Sequence, residues 1–208
     1  MKKLLGLAML AAFAAPVSAQ ETLKMHHFVP PKAPPSSRFM MPWAERVAKS
    51  SGGKIKVELY PAMQLGGTPP QLVDQVRDGV VDLTFTLPGY TADRFPRTEV
   101  FEVPFLHTHA AATAQAMQDY FDKYLKEEYS AYKVILLYTH DGAVVSASKP
   151  IMSLADFQGL KIRTANRGGS VFLRGVGATP VGSPVTEIQT MLTKGVIDGV
   201  LLPYEIMP

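Results

Sequence analysis

The stretch Gly159-Leu160-Lys161-Ile162-Arg163-Thr164 alternates apolar with basic side chains, the period of a short strand with one buried face. Ser153 and Asp156 ahead of it have the spacing of a capping box, and Gly159 is a helix stop. Arg163 therefore falls near the carboxyl end of a strand, before the loop Ala165-Asn166-Arg167-Gly168-Gly169. Open α/β sheets bind ligands beyond the carboxyl ends of their strands. A guanidinium held there is a receptor for a carboxylate, because its planar fork gives two parallel charge-assisted hydrogen bonds. The strand pattern alone fits a solvated or structurally paired arginine as well.

The other chemistry-bearing residues point less sharply. His107-x-His109 could supply two metal ligands, and a metal-dependent hydrolase using His107 and His109 is the alternative reading. A third ligand and a general base are still needed, and His26, His27 and His140 cannot be set beside the pair from spacing. There is no Gly-x-Ser-x-Gly elbow and no phosphate-cradling loop, and no cysteine is present to act as a nucleophile. Gly175-Val-Gly177 begins a dinucleotide fingerprint and abandons it at Ala178-Thr179-Pro180. No cofactor and no metal is therefore expected. His26, Tyr90, His140, Asn166 and Tyr204 fall in or next to loops after strands and are second-rank ligand contacts behind Arg163. Tyr90, Phe172 and Tyr204 could stack on a ligand, although core packing is the commoner fate of an aromatic.

The elements that must hold these residues read as α/β. Residues 1–19 have a basic start at Lys2 and Lys3, an apolar run from Leu4 to Ala15 and a small-residue site at Val17-Ser18-Ala19. That is a secretory signal peptide, leaving 189 of the 208 residues and an exported, periplasmic destination. With no cysteine, the exported chain must rely on its core. Two of its 21 Lys and Arg lie in the leader, so 19 face 18 Asp and Glu; with no basic tract, nucleic acid is not an expected partner. Thr22–Phe28, Lys54–Tyr60, Val81–Leu87, Val134–Tyr138 and Gly195–Leu202 read as further strands. Helices are expected from Ser36 to Ser51, after Thr68, from Thr108 through Glu128, from Gly169 to Val176 and over Thr186–Thr193. Val80, Tyr124 and Leu192 are expected on buried faces.

Leu72-Val-Asp-Gln-Val76-Arg-Asp-Gly79-Val-Val-Asp82 is echoed at an offset of 116 by Ile188-Gln-Thr-Met-Leu192-Thr-Lys-Gly195-Val-Ile-Asp198. Each is a helix passing through glycine into a strand. The echo implies two similar α/β lobes, 20–130 and 131–208, with a ligand cleft between them.

Ser153-Leu-Ala-Asp-Phe-Gln-Gly-Leu-Lys-Ile-Arg163 resembles the signature of the solute-binding proteins of TRAP transporters, the tripartite ATP-independent periplasmic carriers. Gly177-Ala-Thr-Pro-Val-Gly182, Gly195-Val-Ile-Asp-Gly199, Gly66-Gly67, Gly79-Val-Val-Asp82 and Phe95-Pro96 are similar to further segments of that family. The resemblance implies a two-lobed periplasmic-binding-protein-like fold and a non-enzymatic role. It implies capture of a small organic acid and delivery to membrane permease subunits. The family's carboxylate-binding arginine falls on Arg163. Where many members have an asparagine, this chain has Leu202, which implies a more apolar cleft. The family pattern continues beyond Pro208, so the resemblance also implies that the C-terminal part of the second lobe is missing.

Overall fold

Strand β1 (Glu21–His27) passes from exposed residues into three buried ones, Met25-His26-His27, and becomes the centre of the first sheet. The computed structural model describes residues 20–106 and 109–206. The expected signal peptide and His107 lie outside those residues. After β1 the chain turns through the proline-rich segment into a helix that opens with a π turn, Pro35–Met40, and continues as α1 (Met41–Ser50). Pro42 has no N–H to offer residue 38, and the helix is widened just before it. β2 (Ile55–Tyr60) follows, then α2 (Leu72–Arg77), which is led by a capping box between Thr68 and Gln71, and β3 (Leu83–Phe85). The sheet order is β2-β1-β3, all parallel. Met25, Phe28, Met40, Ala44, Val57 and Leu72 fill the core beside it.

A long passage with short helical turns leads to α3 (Ala110–Tyr120), whose last turns widen over Phe121–Leu125. The second sheet contains β4 (Ala143–Ala147), β5 (Lys161–Thr164), β6 (Thr179–Gly182) and β7 (Gly199–Pro203), in the order β4-β7-β5-β6. β4 runs antiparallel to β7 and the other pairs are parallel. α4 (Arg167–Gly175) joins β5 to β6, and α5 (Ile188–Thr193) joins β6 to β7. Pro180 hides β6 from a strand search; its missing N–H is tolerated because β6 lies on the sheet edge.

The internal echo is a structural repeat. The two copies enter different sheets, one through β3 and the other through β7. Gly79 and Gly195 take φ of 70° and 65°, the left-handed conformation that ends each helix. Asp82 accepts the Lys24 N–H at 2.7 Å and Asp198 accepts the Lys161 N–H at 2.8 Å. Each carboxylate thus ties the incoming strand to its parallel neighbour.

Four expectations change. Val134–Tyr138 forms no ladder: the segment lies beside β3, with Tyr138 stacked on Phe85 at 4.8 Å, but no strand among the described residues pairs with it. Val80, Tyr124 and Leu192 are 60%, 55% and 43% exposed, because no described element covers those faces.

Candidate functional site

Arg163 is drawn inward by its neighbours. β5 lies between β6 and β7, where Arg163 registers with Val181 and Val200. The side chain is 1% exposed. Its Nε and Nη2 both donate to the Ser183 carbonyl, at 2.8 and 2.6 Å. That fixes one edge of the guanidinium and leaves Nη1 and the outer edge of the fork. No carboxylate among the described residues forms an ion pair with it. Burial lowers the Arg163 pKa, opposed by the neighbouring Tyr90 phenol and then by Glu187. Its partners, the Ser183 carbonyl and the Tyr90 phenol, are both neutral, so the buried charge is under-compensated and an anion that adds hydrogen bonds is favoured there.

Arg163 lines a cavity of about 450 Å³ between the two sheets. Its wall is mostly apolar, with Phe28, Leu87, Phe105, Phe172, Leu201 and Leu202 prominent. The two sides meet closely. Tyr90, after β3, accepts the Val185 N–H at 3.1 Å. Arg167 at the start of α4 pairs with Asp93 and, at 3.5 Å, with Glu99. Phe105 and Phe172 meet edge to face with centroids 5.9 Å apart. Gly168 is packed so tightly that a Cβ there would collide with the Glu102 carbonyl oxygen. The cleft is closed in this structure.

Arg163, Tyr90, His140 and Asn166 are brought together on the cavity wall. Asn166 caps α4, accepting the Gly169 N–H at 2.8 Å, so its amide nitrogen is the group left for other partners. His140 is half-buried, edge-on to the Tyr138 ring at 5.4 Å. His26 does not join them. It is fully buried, with Nδ1 2.6 Å from Gln75 Oε1 and Nε2 accepting the Leu65 N–H at 3.3 Å. Those bonds place its proton on Nδ1 and tie β1 to α2 and the loop before it. Tyr204 follows β7 as Tyr90 follows β3, but it is 72% exposed and off the wall. His109 caps α3 and His107 lies outside the described residues; among those residues no group of three His, Cys, Asp or Glu could hold a metal.

Two residues that shape the site, one behind Arg163 and one on the wall, carry no sequence signal. Ser183 acts through its backbone carbonyl, which no side-chain pattern reveals. Glu102 lies in the loop-rich passage before α3, where a glutamate ordinarily reads as solvated.

A family model described as bacterial extracellular solute-binding protein family 7 (DctP) matches residues 25–208. A solved TRAP solute-binding protein of a marine-metagenome microbe, specific for aromatic acids and holding 3-hydroxybenzoate, is 49% identical with a TM-score of 0.89; the match covers 91% of this chain and 60% of that one. A TRAP solute-binding protein of Rhodoferax ferrireducens with copurified benzoate is 46% identical with a TM-score of 0.87, covering 89% and 58%. The sialic acid-binding periplasmic protein SiaP of Vibrio cholerae is 25% identical over 75% of this chain and 50% of its own length. This chain thus spans about half to three fifths of these relatives. The two sheets around a cleft are the two-lobed periplasmic-binding-protein fold of those structures.

Proposed function

The chain belongs to bacterial extracellular solute-binding protein family 7, and from that membership we propose that it captures an aromatic monocarboxylate in the periplasm and delivers it to TRAP permease subunits. Residues 1–19 are then the signal peptide, and 20–130 and 131–208 the two lobes. The observation that carries the reading is Arg163, a buried guanidinium with no carboxylate partner among the described residues, in a mostly apolar cleft. Arg163 holds the ligand carboxylate, Tyr90, His140 and Asn166 line the path around it, and the aromatic and aliphatic wall takes the ring. The benzoate and 3-hydroxybenzoate in the two similar structures agree with this chemistry. Binding without turnover is the expected activity. The metal-dependent hydrolase through His107 and His109 is not favoured, since the family is one of binding proteins.

Calorimetric titration with benzoate, cyclohexanecarboxylate, succinate and benzamide tests the reading. Benzoate should bind best. Benzamide, which has the ring without the charge, should bind at least about tenfold more weakly, since about 1.4 kcal/mol is one decade. Equal binding of benzamide and benzoate would remove the carboxylate from the proposal, and preference for succinate would remove the ring.

A further inference from the structure

Glu102 lines the same cavity as Arg163, and no ion pair joins the two. Its backbone is firmly held. The helical turn Thr98–Glu102 is anchored from beyond α3 by Glu128, whose carboxylate accepts the Arg97 N–H at 2.6 Å, the Thr98 N–H at 3.1 Å and the Thr98 hydroxyl at 2.6 Å. Tyr129 reinforces it with a 3.0 Å contact to the same hydroxyl. The Glu102 side chain fills space left by Gly89, where any Cβ would collide with its Oε1, and it packs beside Asn166 from the opposite lobe. Oε2 is buried with no hydrogen-bond partner among the described residues. Burial, followed by the nearby Glu99, pushes this carboxyl up to about 7, while Asn166 favours its charged form.

A buried carboxyl with an unspent oxygen thus belongs to the wall of the cavity that Arg163 lines, with no ion pair between the two. Resting on the function proposed above, we infer that Glu102 is a specificity-determining residue that hydrogen-bonds a neutral polar substituent, such as a ring hydroxyl, on an aromatic acid whose carboxylate is held by Arg163. The carboxyl can serve a phenol in either state, donating when protonated and accepting when ionised. A second carboxylate at that position meets a like charge once Glu102 ionises, so the same residue selects against diacids.

The test is calorimetry with benzoate, its three monohydroxy isomers and isophthalate on wild-type protein, Glu102→Leu and Glu102→Gln. The best hydroxybenzoate should bind the wild type at least about tenfold more tightly than benzoate, and within about threefold of benzoate in Glu102→Leu. Glu102→Gln, nearly isosteric, keeps the test open if the leucine variant does not fold: at about pH 8 its affinity for isophthalate relative to benzoate should rise at least about tenfold over wild type. A hydroxyl preference that is absent from the wild type or survives in Glu102→Leu overturns the inference. So does a diacid ratio unmoved in Glu102→Gln. If the acids bind with these failures, only the Glu102 role falls; if no aromatic acid binds the wild type, the parent function falls first.

Discussion

Arg163 and His27 are both polar side chains buried at the carboxyl ends of strands, but they differ in what the burial does. Arg163 cannot give up its charge within ordinary pH, so its desolvation is relieved only by hydrogen bonds. His27 escapes by staying neutral. It is fully buried, both ring nitrogens lack partners among the described residues, and burial followed by His26 pushes its pKa from 6.5 down to about 4. Below about 6.5 the unfolded chain takes up a proton that the folded ring refuses, so this contribution is complete above that pH and is lost as pH falls toward 4. His27→Leu should therefore lose less stability than wild type between about pH 7 and pH 5, by up to about 2 kcal/mol in urea unfolding. Parallel pH profiles would show that the ring carries no such penalty. At this scale the sequence is legible where local pattern fixes placement: Leu160 and Ile162 alternate with Lys161 and Arg163 and mark the strand. It is silent on Glu102 and on the Ser183 carbonyl, because their importance arises from residues of the opposite lobe or the next strand.

Among the elements, α4 has the most to do. Its N-terminus carries Asn166, Arg167 and Gly168, which meet the 93–102 segment across the cleft. Only a residue without a Cβ fits at Gly168 against the Glu102 carbonyl. Gly168→Ala should leave each lobe folded but oppose closure. Overpacking of about 1–3 kcal/mol translates into roughly 5- to 150-fold weaker benzoate binding with little change in circular dichroism. Unchanged affinity would show that the loop yields at that point. The helix–glycine–strand repeats and the Ser153–Asp156 capping box are visible in the sequence because each is a local pattern of a few residues. Val134–Tyr138 misleads for the opposite reason: its residues favour a strand, but a strand needs a partner edge, which composition does not report.

On the scale of the whole molecule, the proposed ligand would lie between two sheets and touch both. A ligand that binds only the folded, closed form adds stability by mass action, about 2.7 kcal/mol at 100 times its Kd. For a chain of this size that corresponds to a rise in Tm of roughly 5–10 °C. The rise should follow benzoate concentration logarithmically and be clearly smaller with benzamide at the same concentration; equal shifts would mark nonspecific stabilisation. The two-lobed plan is legible from the echo, whereas the degree of closure is not, because it depends on contacts between residues far apart in sequence, such as Tyr90 with Val185. The central claim is that Arg163 is the carboxylate receptor, and titration of benzoate into wild type and Arg163→Ala tests it most directly. Removing one partner of a buried charged pair costs about 2–5 kcal/mol, so Arg163→Ala should weaken binding by roughly 30-fold to several thousand-fold. Binding by the folded variant within about threefold of wild type, less than half of one 1.4 kcal/mol decade, would contradict it.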